Sequence, residues 1–168
     1  GSDEISEEIV RCFKKSNIDA HVSKTVMKSK GAKCLLNLVN AFEAITDKKI
    51  EGCQIANDIA DKTRKEAQTV WKAAGIEWEP MDEYYNKSIA TRSIEKMPKG
   101  YSKTAKRSST WQSLAKKKGN AETEQINGDI VEIGKMLGIK TPYNKALTEI
   151  MKEMIRNKEK PGKYNVKE

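Results

Sequence analysis

Histidine occurs once in this sequence, at His21, and cysteine three times, at Cys12, Cys34 and Cys53, with no C-x-x-C spacing. That scarcity excludes a structural zinc site and a disulfide framework, so the thiols are expected to be reduced and the chain cytoplasmic. No apolar run approaches the roughly 18 residues of a membrane span, and no basic leader precedes an apolar stretch. Neither a membrane partner nor a signal peptide is therefore expected. No repeat of about 20–50 residues recurs, which excludes a solenoid. No G-x-G-x-x-G follows a candidate strand, so the turn that cradles a dinucleotide pyrophosphate is missing. Gly1 and Ser2 read as a cloning scar.

What the chain has in quantity is charge of both signs. Its 168 residues carry 32 Lys and Arg against 24 Asp and Glu, a net charge of +8. The densest basic run, Lys116-Lys117-Lys118, is short, and no aromatic residues interleave with the lysines to stack bases. The charge is thus expected to be solvated surface, and nucleic acid is not an expected partner. The hydrophobic share of 37% suits one domain with a sizeable core, or one domain plus a fragment of another.

Glu4 to Lys15 has helical spacing through Ile5, Ile9, Cys12 and Phe13, with Asp3 or Ser2 as cap. Ile18 to Val22 alternates and gives a weak strand signal. This βα pair cannot make a sheet alone, so residues 1–22 read as a scar plus the tail of a larger α/β domain. Residues 23–157 read as a helical domain, and 158–168 as a flexible tail. Cys34 to Ile45 is apolar nearly all round, the mark of a central buried helix. Ile50 to Ala74 follows, with Ile55, Ile59, Ala67, Val70 and Trp71 inward and Gly75 as the stop. Pro80 opens a helix through Ile94, and 97–103 reads as a loop. Helices are then expected from Ser108 or Ser109 to Lys117, from Ala121 to Leu137, and from Pro142 to Arg156 through Leu147, Ile150, Met151 and Met154. Gly128 and Gly134 inside the second of these suggest close helix contact.

Two places could carry chemistry. On the central helix, Lys33 and Asn37 share a face and Asn40 lies three residues on. Asparagines amid leucines are costly unless bonded. They either tie neighbouring helices or a backbone break together, or form a polar stripe along a cleft with a lysine at its mouth. A lysine so placed can protonate a carbonyl oxygen. The second place is Ser108-Ser109 and, downstream, Glu122. Taken singly, these are ordinary capping and helix-dipole residues.

Four segments change that reading. Lys33-Cys34-Leu35-Leu36-Asn37-Leu38-Val39-Asn40-Ala41 is similar to the lysine–asparagine helix of ketopantoate reductases. Arg107-Ser108-Ser109-Thr110-Trp111-Gln112 resembles that family's serine-serine-methionine-x-glutamine segment. Glu122-Thr123-Glu124-Gln125-Ile126-Asn127-Gly128 resembles its glutamate-x-x-x-isoleucine-asparagine-glycine segment. Gly138-Ile139-Lys140-Thr141-Pro142-Tyr143-Asn144 resembles the turn that follows. The four occur in the family's order, and the resemblance covers roughly residues 5 to 155.

The resemblance implies a mainly α fold. It would be the multi-helix C-terminal domain of the 6-phosphogluconate-dehydrogenase-like type, with a short βα remnant of a Rossmann domain at the N-terminus. It implies that Lys33 protonates the ketone oxygen and that Asn37 supports it. Asn40 would be a second substrate-binding amide, one residue earlier than in some members. Ser109 would bind the substrate, and Glu122 the substrate or the lysine. NADPH would be the cofactor of the complete enzyme, not held tightly by this chain, and a small 2-keto acid, most simply ketopantoate, the substrate. A homodimer through the helical domain is the other implied partner. Two departures bear on the substrate: Ser113 stands where the family often has aspartate, and the interval from Gln112 to Glu122 is one residue longer. The rival expectation is a stand-alone helical domain of the same descent that dimerises or binds a partner without catalysis.

Overall fold

The structure is a computed structural model that describes residues 3–48, 53–91 and 107–166. Among the described residues there are eight α-helices and no strand. They are α1 (Glu4–Lys15), α2 (Val26–Asn37), α3 (Asn40–Thr46), α4 (Gln54–Ala73), α5 (Met81–Thr91), α6 (Ser109–Ala115), α7 (Asp129–Met136) and α8 (Pro142–Arg156). A π-helical turn, Glu124–Gly128, leads into α7. The mainly α fold stands; the strand expected at Ile18–Val22 does not form. That segment has no neighbouring strand to pair with, and Ile18 is half exposed. The predicted loop at 97–103, and Ile94 of the helix before it, lie outside the described residues.

Helix α1 forms where expected, with Asp3 accepting from the Ser6 amide at 2.8 Å. It buries none of its residues, and Ile5 and Phe13 stay 69% and 45% exposed. An amphipathic helix with its apolar face bare is a helix whose packing partner is not among the described residues.

The predicted central helix is two helices. Leu38 and Val39 form a turn that separates α2 from α3, so Asn37 closes one helix and Asn40 opens the next. The turn also divides the core. Leu35 and Leu38 pack with Ala67, Val70, Trp71 and Ile130. Ala41, Phe42, Ala44 and Ile45 pack with Ala56, Leu114, Leu147, Met151 and Met154. Each fully buried leucine or methionine here contributes about 2 kcal/mol of transfer free energy.

Helix α4 spans both halves and follows the predicted stripe except at Ile55, with Ile59 partly buried against the core. Ala67, Val70 and Trp71 are buried, whereas Ile55 is 36% exposed and the buried residues of its first half are Ala56, Ala60 and Thr63. Small side chains bring the helices together, and the isoleucines border a shallow apolar groove of about 470 Å³ beside Tyr164 and Val166. The helix ends as expected. Gly75 sits at φ +69°, with Ile76 N–H donating to the Trp71 carbonyl and Gly75 N–H to that of Lys72.

Of the two glycines in the next helical stretch, Gly134 is the one at a close contact. A Cβ there would stand 2.9 Å from both the Ile139 carbonyl oxygen and Thr141 Cγ2. At Gly128 the nearest atom would be 3.7 Å away, an ordinary contact. Residues 158–166, expected as a flexible tail, return along α3, where Gly162 N–H donates to the Ala44 carbonyl and Tyr164 N–H to that of Ile45.

Candidate functional site

A helix interrupted between Asn37 and Asn40 leaves backbone carbonyls without their usual i+4 donors. The donor for Leu38 comes from far along the chain: Asn127 Nδ2 reaches the Leu38 carbonyl oxygen at 2.9 Å. The same amide donates to Asn144 Oδ1 at 3.0 Å. Asn144 Nδ2 in turn donates to the Thr63 carbonyl at 3.0 Å and to Glu66 Oε2 at 2.8 Å. The Glu66 carboxylate also accepts the Tyr143 and Asn144 backbone amides at 2.9 and 3.0 Å, and so caps the start of α8. Asn127 and Asn144 are 1% and 0% exposed, and every bond in this chain of contacts replaces one that water would otherwise make.

The candidate asparagines therefore do not do the bonding that two amides amid leucines suggest. Asn37 and Asn40 are half-buried and their amides have no hydrogen-bond partner among the described residues. Lys33, one turn before Asn37 on α2, is exposed and makes no ion pair among the described residues. Amides that flank a helix break without engaging it remain available to a ligand. The residues that bridge the break, Asn127 and Asn144, stood in the sequence only as letters of longer motifs. Their signal was an asparagine on an otherwise apolar helical face, the same signal that drew attention to Asn37 and Asn40.

The two serines divide their labour. Ser108 is the N-cap of α6, its hydroxyl accepting from the Trp111 amide at 3.2 Å. Ser109 is exposed and lines a groove of about 840 Å³. The same groove is lined by Glu122, Glu124, Lys152 and Arg156. The structure thus brings Ser109 and Glu122 to one groove. Lys33, Asn37 and Asn40 are not among the residues that line it. The groove holds charge of both signs: Lys152 Nζ lies 3.7 Å from Glu124 Oε1.

The segments that carry these residues are nonetheless bonded to one junction. Helix α6 packs on α3, and the Ser108 amide donates to Glu43 Oε2 at 3.1 Å, one turn beyond Asn40. The π-turn that follows Glu122 is fastened to Leu38 through Asn127. Single π-turns within α-helices recur at functional sites, because the extra residue turns one side chain out of the regular pattern.

Among the described residues, no group of three or more His, Cys, Asp or Glu side chains could hold a metal ion. No helix there is long and apolar enough to cross a membrane. All three cysteines are free. Burial, then the charge of Asp129, pushes the Cys34 thiol above its ordinary range, so it is not a ready nucleophile.

Comparison with known proteins is consistent with this architecture. Residues 25–155 match the model of the ketopantoate reductase PanE/ApbA C-terminal family. No curated protein matches the chain. Among solved structures it is similar to a PanE/ApbA-family ketopantoate reductase from Ralstonia eutropha, with 24% identity and a TM-score of 0.71 over 93% of this chain and 50% of that one. It is similar to D-mandelate dehydrogenase in a ternary structure with NADH and anilino(oxo)acetate, with 21% identity and a TM-score of 0.72 over 94% of this chain and 50% of that one. It is similar too to the dimeric ketopantoate reductase of Staphylococcus aureus, with 16% identity and a TM-score of 0.66 over 94% of this chain and 53% of that one. The chain spans about half the length of these structures, and at such identities the likeness is one of fold. By its match over residues 25–155, the chain belongs to the ketopantoate reductase PanE/ApbA C-terminal domain family.

Proposed function

We propose that this chain is the catalytic and substrate-binding half of a nicotinamide-dependent 2-keto acid reductase, acting on 2-dehydropantoate to give pantoate with NADPH as reductant. The observation that carries the reading is the convergence just described. The segment bearing Ser109 is bonded to α3, one turn beyond Asn40, through Glu43, and the segment bearing Glu122 is bonded to the break itself, at Leu38, through Asn127. In this reading Lys33 donates a proton to the ketone oxygen as negative charge develops there. Asn37 and Asn40 orient the keto acid with their unengaged amides. Ser109 donates to the substrate, and Glu122 accepts from the substrate hydroxyl or the Lys33 ammonium.

The residues present do not fit the dinucleotide itself, since no glycine-rich strand–turn–helix occurs in the sequence. A nicotinamide cofactor, if held by another part of a longer protein, would supply the hydride. Helix α1 supports that placement: its bare Ile5, Ile9 and Phe13 are what the last helix of a Rossmann domain would turn toward its sheet. The same bare face favours the rival reading, a helical module that dimerises or binds a partner without chemistry. In the reductase reading the assembly is a homodimer through the helical domain and the compartment is the cytoplasm.

Oxidation of NADPH by the full-length protein, followed at 340 nm with ketopantoate and a panel of other 2-keto acids, separates the two readings. Turnover with at least one keto acid is expected. No turnover with any, from a protein that binds NADPH, would leave the partner-binding module.

A further inference from the structure

Charged residues on the folded surface rarely justify their positions by stability alone. Those at the start of α6 form a closed set. Arg107 lies 3.4 Å from Glu43 Oε1 and 3.0 Å from Asp47 Oδ1. Its guanidinium stands over the Trp111 ring, 5.3 Å from the centroid. The Trp111 indole N–H donates to Asp47 Oδ1 at 2.8 Å, and Gln112 Nε2 donates to the Arg107 carbonyl at 2.8 Å. Glu43 completes the set through its bond from the Ser108 amide, and its side chain is only 13% exposed. Asp47 closes α3 in the left-handed conformation at φ 56°, which turns its carboxylate back toward Arg107.

Helix α6 already has an apolar anchor on α3 in Leu114, which is buried against that helix's cluster. The polar set adds something Leu114 cannot, which is the direction and register of the first turn. Its two acidic members lie on α3 beyond Asn40 and at that helix's end, and its other members flank Ser109. We propose that Glu43, held by Arg107 and backed by Asp47, is a positioning residue that sets the Ser109 hydroxyl relative to Asn40 for binding of the keto acid. This rests on the reductase reading of the same site. The class of reaction makes such a device effective, because a misplacement of about 1 Å in a substrate contact can cost on the order of a hundredfold in rate.

The test is a double-mutant cycle in the full-length protein, with Glu43→Ala, Ser109→Ala and the pair compared in kcat and KM for the keto acid. Glu43→Ala is expected to raise KM about tenfold with a smaller change in kcat. In that background Ser109→Ala is expected to change KM by less than about twofold, because the hydroxyl has already lost its place. Glu43→Gln should recover part of the loss, since its amide oxygen still accepts the Ser108 N–H while the ion pair with Arg107 is gone. Should Glu43→Ala fail to fold, Arg107→Gln loosens the same set from a more exposed side chain and gives the same readout. Effects of Glu43→Ala (or Arg107→Gln) and Ser109→Ala that simply multiply, or a lowered Tm with KM unchanged, would overturn the positioning role. Wild-type protein that reduces no keto acid would instead overturn the reductase reading, and the role with it.

Discussion

Asn127 Nδ2 and the Leu38 carbonyl oxygen, 89 residues apart in sequence, meet at 2.9 Å inside the core. This bond is what allows one apolar stretch to be two helices, because it supplies a donor where the helical ladder has none. A buried carbonyl stripped of its donor costs about 1–3 kcal/mol, and Asn127→Ala would strand Asn144 Oδ1 as well. Urea denaturation of this chain should therefore show Asn127→Ala less stable by about 2–4 kcal/mol. A loss below about 1 kcal/mol would mean that water replaces the amide at no cost.

Gly134 and Gly128 should respond oppositely to a methyl group. Gly134→Ala drives its Cβ against the Ile139 backbone and should cost about 1–3 kcal/mol by forcing that turn to move. Gly128→Ala meets nothing closer than 3.7 Å and should be neutral, or stabilising by up to about 1 kcal/mol through helix propensity. Paired thermal melts decide it, and equal effects would contradict the packing described.

The serine pair gives a sharper contrast. Ser108→Ala removes the cap of α6 and should cost about 0.5–2 kcal/mol of stability. Ser109→Ala, at an exposed groove position, should leave the melting curve of this chain in place. In the full-length protein Ser109→Ala should raise KM for the keto acid. The reverse pattern of stability would assign the cap to Ser109.

Thiol chemistry follows from burial. Cys12 is exposed, while Cys34 is partly buried with its pKa raised by desolvation and by Asp129. At pH 8 Cys34 carries less thiolate than an unperturbed thiol, so iodoacetamide should label Cys12 first and Cys34 more slowly. Peptide mapping by mass spectrometry reads the order, and Cys34 labelled first would contradict it.

Much of this was legible in the sequence because helices announce themselves by period. Leu147, Met151 and Met154 are buried as their spacing in α8 predicts, and Gly75 ends α4 as its residue type predicts. A backbone break was one of the readings that Asn37 and Asn40 left open, but its place at Leu38–Val39 was not legible, since nothing local opposes a helix there and its support lies at Asn127. The α4 stripe was misjudged at Ile55 because hydrophobicity ranks isoleucine above alanine, whereas close packing selected Ala56 and Ala60. The strand at Ile18–Val22 is a pattern without a partner. Of the candidate site, Ser109 and Glu122 could be picked from motif letters. Glu43, Arg107 and Asp47 could not, because ordinary surface charges in sequence become a set only when α3 and α6 meet.

The most direct measurement is the steady-state kinetics of Lys33→Ala in the full-length protein, with the dissociation constant for NADPH measured alongside. If Lys33 donates the proton to the ketone oxygen, kcat should fall about 10²–10⁴-fold while NADPH binding stays within about twofold of wild type. A kcat within about threefold of wild type would contradict the assignment of Lys33 as the acid.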